Sequence, residues 1–312
     1  MRFHVDYIAE HFELELSKYL KLKGASSKEE VRKAREEFIP IYNRNRDMGL
    51  YDENAYTYLD LADQALDSHS KSFYAEMALE LDPDLPYAKS MLIKEMYGTD
   101  PALCAFLMEE VLEEEEERLE DLGYTEETYA GRFFQNIETR PFLHLLNQYA
   151  DVLDRARLFR EEADAIEEIL FLNPSDDMGT HPFLMGCYAR LDEEEKALKL
   201  REQFKDADGD SIMLLPLAAM YYRRGDQEKA AVFVKELAEK NREIGSAVSK
   251  LIRGDTTDMY LLGRFPYVVP GTVDEFYRAY LISYDYYNEM PGFLPFIEEV
   301  LRLEAEKDHG DD

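Results

Sequence analysis

Apolar residues recur along this chain at the 3.6-residue period of an α-helix. Phe3, Tyr7, Ile8, Phe12, Leu16 and Leu20 fall on one face, and Gly24 follows where a helix takes a left-handed stop. Ser26 or Ser27, followed three residues later by Glu29 or Glu30, makes a capping box for a second helix carrying Val31, Ala34, Phe38 and Ile41. Residues 1–50 therefore read as an N-terminal capping pair. Residues 55–66 and 73–81 make a further pair, in which Ala75 and Ala78 share a face and Pro83 stops the second helix. Small residues on such a face let two helices approach closely. Near the end, Thr272-Val273-Asp274-Glu275 caps a helix carrying Phe276, Ala279 and Tyr280, and Pro291 separates a last helix from Phe293 to Leu303. Residues 303–312 read as a disordered acidic tail.

Between residues 140 and 241 the pattern repeats every 34 residues. Tyr149, Phe183 and Leu217 coincide, followed by Ala150, Leu184 and Ala218, then Leu153, Cys187 and Tyr221 one turn later. In the second helices Ile166, Leu200 and Val234 coincide. A period of 34 is that of the tetratricopeptide repeat, a helix–turn–helix unit. The clearest copy is LLPLAAMYYRRGDQEKAAVFVKELAEKN, with Gly225 in its turn and Ala230 opening the packing face of its second helix. The expected fold is all-α: a tetratricopeptide-like α-α superhelix, a right-handed solenoid of antiparallel helix pairs, over residues 51–302. A long acidic helix is inserted between the pair ending at Pro83 and the three later copies.

The stretch IETRPFLHLLNQYADVL, continuing through FREEADAIEEILFLNPSDDMGTHPFLMGCYARL, resembles the suppressor of tumorigenicity seven family and its bacterial tetratricopeptide relatives. The resemblance rests on Glu138-Thr139-Arg140-Pro141-Phe142, the Leu172-Asn173-Pro174 stop, Asp176-Asp177 leading to Gly179, Tyr260-Leu261-Leu262-Gly263, and the turn at Pro270-Gly271. It implies a helical repeat fold over roughly residues 60–300. The family supplies no catalytic residues to carry over. Its eukaryotic members are membrane-associated, a property not expected of a chain without an apolar span.

Composition narrows the choice of partner. Lys and Arg number 36 against 67 Asp and Glu, a formal net charge of −31. Such a surface repels phosphate backbones and anionic bilayers, so neither nucleic acid nor membrane is an expected partner. The longest apolar run, Ile212 to Tyr222, is too short to span a bilayer and contains Pro216. MRFHVDYIAEHFELEL carries acidic residues where a secretory leader needs basic and apolar ones, so a cytoplasmic location is expected. Cys104 and Cys187 sit among apolar neighbours and read as buried free thiols. The run EEVLEEEEERLED at 109–121 reads as a solvated helix face with Val111, Leu112 and Leu119 turned inward. A calcium or basic-peptide role is the less favoured reading of it. DADGDS at 206–211 fails as a calcium loop, because Ser211 stands where Gly is needed and Leu217 where a bidentate Glu is needed. Asp210 or Ser211 caps the next helix instead.

No glycine-rich phosphate loop, nucleophile elbow or HExxH is present, and the six histidines are scattered. No enzyme activity, cofactor or metal is therefore expected. The expected function is a protein–protein interaction scaffold or adaptor that holds a protein or peptide, by charge a basic one, in a concave groove. A peptide-sensing regulator whose superhelix changes on binding is the alternative, and a helical enzyme without a known motif is the third reading. Residues one step off the packed face are the candidate contacts: Arg140, His144, Asn147, Asp151 and Arg155, then Tyr222 and Arg223. Glu138, Thr139, Pro141, Pro174, Gly225 and Ala230 read as structural. Thr139 caps the helix and Pro141 fits its first turn. Glu138 and Arg140 form an ion pair that fixes the preceding loop.

Overall fold

A computed structural model describes residues 5–205, 210–262 and 269–308. Those residues form eighteen helices and no strand. None of the helices is long and apolar enough to cross a membrane. The chain divides into two compact units, Arg2–Met178 and Gly179–Asp312, with the boundary inside the expected array.

The first unit opens with α1 (Tyr7–Lys23) and α2 (Lys28–Asp47). Gly24 ends α1 at φ 66°, and Ser27 with Glu30 completes the reciprocal capping box of α2. The capping box holds the Glu30 carboxyl down to about 2 through the Ser27 and Ser26 amides. The buried line of α2 is Ala34, Phe38 and Tyr42 rather than Ile41, which is exposed. Tyr42 earns its place through a hydrogen bond at 2.8 Å with His11 of α1 and by joining Leu16 and Phe38 in a small core. Then come α3 (Ala55–Gln64) and α4 (Ser68–Leu81), packed on each other with Ala62, Ala75 and Ala78 fully buried, followed by α5 (Pro86–Tyr97). The long helix α6 (Pro101–Asp121) carries the acidic run. Val111, Leu112 and Leu119 point inward as the periodicity predicts, but Glu115 is buried with them. A single turn, α7 (Glu126–Tyr129), precedes α8 (Arg140–Ala156) and α9 (Phe159–Leu172). α8 packs against α5, α6 and α9 together.

The second unit holds α10 (His181–Leu191), α11 (Glu194–Gln203), α12 (Asp210–Arg224) and α13 (Gln227–Lys240). It continues with α14 (Ile244–Ile252), α15 (Thr257–Leu262), α16 (Val273–Ile282), α17 (Tyr284–Asn288) and α18 (Phe293–Asp308). α12 is buried from Ile212 to Tyr221 because α10, α13 and α16 all pack on it. Gly225 turns the chain at φ 82° and Ala230 is fully buried on α13, as expected. α18 continues to Asp308, five residues beyond the expected end. The loop 206–209, the segment 263–268 with Gly263, and the tail 309–312 lie outside the described residues.

Ten of the twelve 34-spaced positions are buried, while Tyr149 and Phe183 are half-buried. They fall in the pairs α8/α9, α10/α11 and α12/α13. Cys104 and Cys187 are buried free thiols, and burial pushes the Cys104 thiol up.

Candidate functional site

The ETRPF segment is the structural hub of the first unit. Before α8 the chain runs through consecutive turns. Gly131 takes φ 81° with its Cα face against Pro174, and the Phe133 amide donates to the Leu172 carbonyl at the end of α9. Thr139 is fully buried. Its hydroxyl does not cap α8; it donates to the Phe133 carbonyl at 2.7 Å and the Asn136 carbonyl at 3.2 Å, closing the turn on itself. Pro141 occupies the first turn of α8, where a missing N–H costs nothing.

Glu138 and Arg140 do not pair with each other. Glu138 reaches Lys21 of α1 at 3.5 Å, and its carbonyl accepts from Arg118. Arg140 turns inward: its Nη1 donates to Glu10 at 2.7 Å, its Nε donates to the Phe134 carbonyl at 2.9 Å, and its guanidinium lies 5.2 Å from the Phe134 ring centre. A charge this enclosed needs a charged partner, and among the described residues α1 supplies it. Glu10 is buried, and its second oxygen has no partner among the described residues. Burial pushes the Glu10 carboxyl up even with Arg140 opposing it. Aromatic groups complete the enclosure. Tyr87 stands 5.5 Å from Tyr7 and 5.7 Å from His144, and burial with Glu10 nearby pushes the Tyr56 and Tyr87 phenols up.

His144 and Asn147 are therefore buried, not groove-lining. The expectation placed them one step off a single packed face, but α5 and α6 cover that side of α8 as well. Asp151 and Arg155 do reach the surface, as a loose pair at 3.9 Å with 41% exposure each, a geometry that contributes little. Tyr222 packs on Phe293 and Phe296 of α18, so closely that a Cβ on Gly292 would stand 2.5 Å from its hydroxyl. Arg223 donates to the Arg190 carbonyl at 2.7 Å, satisfying the end of α10. Of the seven candidate contacts, Arg140 lines a groove described below.

His144 titrates accordingly. Burial, and then the Arg140 charge, hold its imidazole down to about 3 from an ordinary 6.5. Between those values the unfolded chain takes up a proton that the folded chain refuses. Stability from this group is complete above pH 6.5 and falls by about 1.4 kcal/mol per unit as pH drops through the window. Denaturation of the parent and of His144→Gln at pH 7, 6, 5 and 4 should show the parent losing stability faster. Parallel curves would remove His144 from the acid sensitivity.

Two open grooves flank this hub. One, of about 480 Å³, lies along α5 and α6. Pro86 and Val111 give it an apolar floor, and five carboxylates line it: Asp84, Glu114, Glu115, Glu117 and Asp121. Its two cations are spent, Lys89 on Glu114 at 2.8 Å and Arg118 on Glu115 through two bonds at 2.6 and 2.7 Å. Asp84, Glu117 and Asp121 have no cationic partner among the described residues. The other groove, of about 460 Å³, lies between α1 and the segment 124–140. The two are joined through the hub: Arg118 lines the first and Arg140 the second. Among the described residues whose side chains are placed, no group of three His, Cys, Asp or Glu is arranged to hold a metal. The acidic groove escaped the sequence because its floor and rim come from two helices, and only the α6 half announced itself as a charge run.

No family model, no curated protein and no solved structure matches the chain.

Proposed function

We propose that this protein is a non-enzymatic adaptor or scaffold whose α5–α6 groove holds a basic peptide or helix of a partner protein. The observation that carries this reading is the surplus of three carboxylates without a cationic partner among the described residues, over an apolar floor in an open groove. Lys and Arg side chains fit such a surface, laying their methylene stems on the floor and their charges against the rim. The net charge of −31 favours the same partner by steering basic segments toward the protein. The finer fold, a tetratricopeptide-like superhelix related to the suppressor of tumorigenicity seven family, belongs to this proposal. The 34-residue spacing supports it, as does the neighbouring of α10 and α12, the first helices of successive pairs. A cytoplasmic setting, where such adaptors meet their partners, is part of the same proposal.

The test reverses charge at two exposed groove positions, Glu114 and Glu117. Fluorescence anisotropy with a pool of labelled decapeptides rich in Lys and Arg should show binding that weakens as salt rises. The double variant Glu114→Lys, Glu117→Lys should bind at least about tenfold more weakly. Unchanged affinity in that variant would contradict the proposal.

A further inference from the structure

The second groove has the opposite chemistry. In a chain with 67 acidic residues, the groove between α1 and the segment 124–140 has one lining carboxylate, Glu13, and it is already bonded by both terminal nitrogens of Arg35, at 2.7 and 3.5 Å. Arg132 and Arg140 line the same space. Arg140 spends Nε and Nη1 on Phe134 and Glu10, which leaves Nη2 without an acceptor among the described residues. Arg132 has no carboxylate partner there. It donates Nη2 to the Thr128 carbonyl at 2.6 Å and lies 5.0 Å from the Tyr129 ring centre, so its fork is held in place while Nε and Nη1 stay open. Gln135, exposed and lining the same groove, carries a side-chain amide that can donate as well.

Thr128 takes one Nη2 hydrogen of Arg132, and the other runs parallel to Nε–H or to Nη1–H, so one edge of the fork stays open to the two oxygens of a carboxylate, with the Gln135 amide in the same groove as a further donor. We propose that this groove binds a peptide carboxylate, supplied either by a chain terminus or by an Asp or Glu side chain. The inference rests on the peptide-binding reading, at a groove separate from the acidic one. A volume of about 460 Å³ admits a few residues of peptide around the anion.

Three pools of labelled octapeptides lacking Lys and Arg test it on the full chain: one with free C-terminal carboxylates, one amidated, and one amidated with internal Asp and Glu. The free-acid pool, the internal-acid pool or both should bind, and the uncharged amidated pool should not. Which of the two binds identifies the source of the carboxylate. Arg132→Gln should weaken that binding about tenfold or more. Gln135→Glu, which places a negative charge in the same groove, should weaken it too. Both positions are exposed, and circular dichroism confirms that the variants fold. Glu114→Lys with Glu117→Lys should leave carboxylate binding intact. If the basic pool fails to bind while carboxylate binding persists, the acidic-groove reading falls and this inference stands. Equal binding of all three pools, no binding by any, or indifference to both Arg132→Gln and Gln135→Glu would overturn it.

Discussion

Replacing Arg140 with Met should destabilise the first unit by about 3–5 kcal/mol, because it leaves Glu10 buried without its counter-charge. Arg140 and Glu10 are enclosed together, with side chains 17% and 9% exposed, and one Glu10 oxygen already lacks a partner. Methionine keeps most of the apolar stem and removes both donated bonds. Glu10→Gln in the Arg140→Met background should recover part of the loss, since a neutral amide is cheaper to bury than a lone carboxylate. The pH dependence gives an independent check. Burial holds the Glu10 carboxyl up, and loss of Arg140, which opposes that shift, raises it further. A carboxyl raised in the folded state contributes stability below its unfolded value and loses it as pH rises through the folded one. Arg140→Met should therefore approach the parent as the solution is acidified. A penalty independent of pH would mean that packing, not the buried charge, sets the cost.

Glu275 should be nearly as costly to alter in the second unit. It is 1% exposed and accepts two backbone N–H groups, from Ser211 at 2.6 Å in the first turn of α12 and from Gly271 at 2.5 Å before α16. Asn241 extends the network, donating to the Thr272 carbonyl at 2.7 Å and to the Ser211 hydroxyl at 3.3 Å. Glu275→Ala strands both donors and opens a cavity, a cost of about 3–5 kcal/mol. Glu275→Gln is the sharper variant. One of its terminal atoms becomes a donor facing an N–H, so an isosteric change should still cost about 2–3 kcal/mol. With two units, a single unfolding midpoint is not a safe readout. Amide exchange at Ser211 and Gly271 reports the effect locally. Exchange within twofold of the parent in both variants would show that Glu275 does not hold these elements.

These two residues also mark where the sequence stopped being legible. The capping box at Ser27 and Glu30, the Gly24 stop, the Ala75/Ala78 face and the Gly225 turn are local, and each is read from residues within a few positions of one another. The 34-residue period located helix pairs because it follows one stripe per helix. It could not show that α8 is covered on two sides, so His144 and Asn147 looked available for binding. The Glu10–Arg140 pair spans 130 positions, and in sequence Glu10 is one of 67 acidic residues. Thr272 illustrates the same limit at short range. It occupies the capping position of α16, yet its hydroxyl donates back to the Val269 carbonyl at 2.6 Å, while Glu275 turns into the core toward Ser211. The distant partner, invisible in the local pattern, decided the outcome.

Hydrogen exchange of the full chain, with and without a saturating pool of Lys- and Arg-rich decapeptides, tests the binding claim most directly. The account predicts slowed exchange concentrated in α5 and α6, from Pro86 to Asp121, and its reversal in about 0.5 M salt, where exposed charges are screened. Protection that falls elsewhere and leaves α5 and α6 unchanged, or no protection at any concentration of the pool, would contradict it.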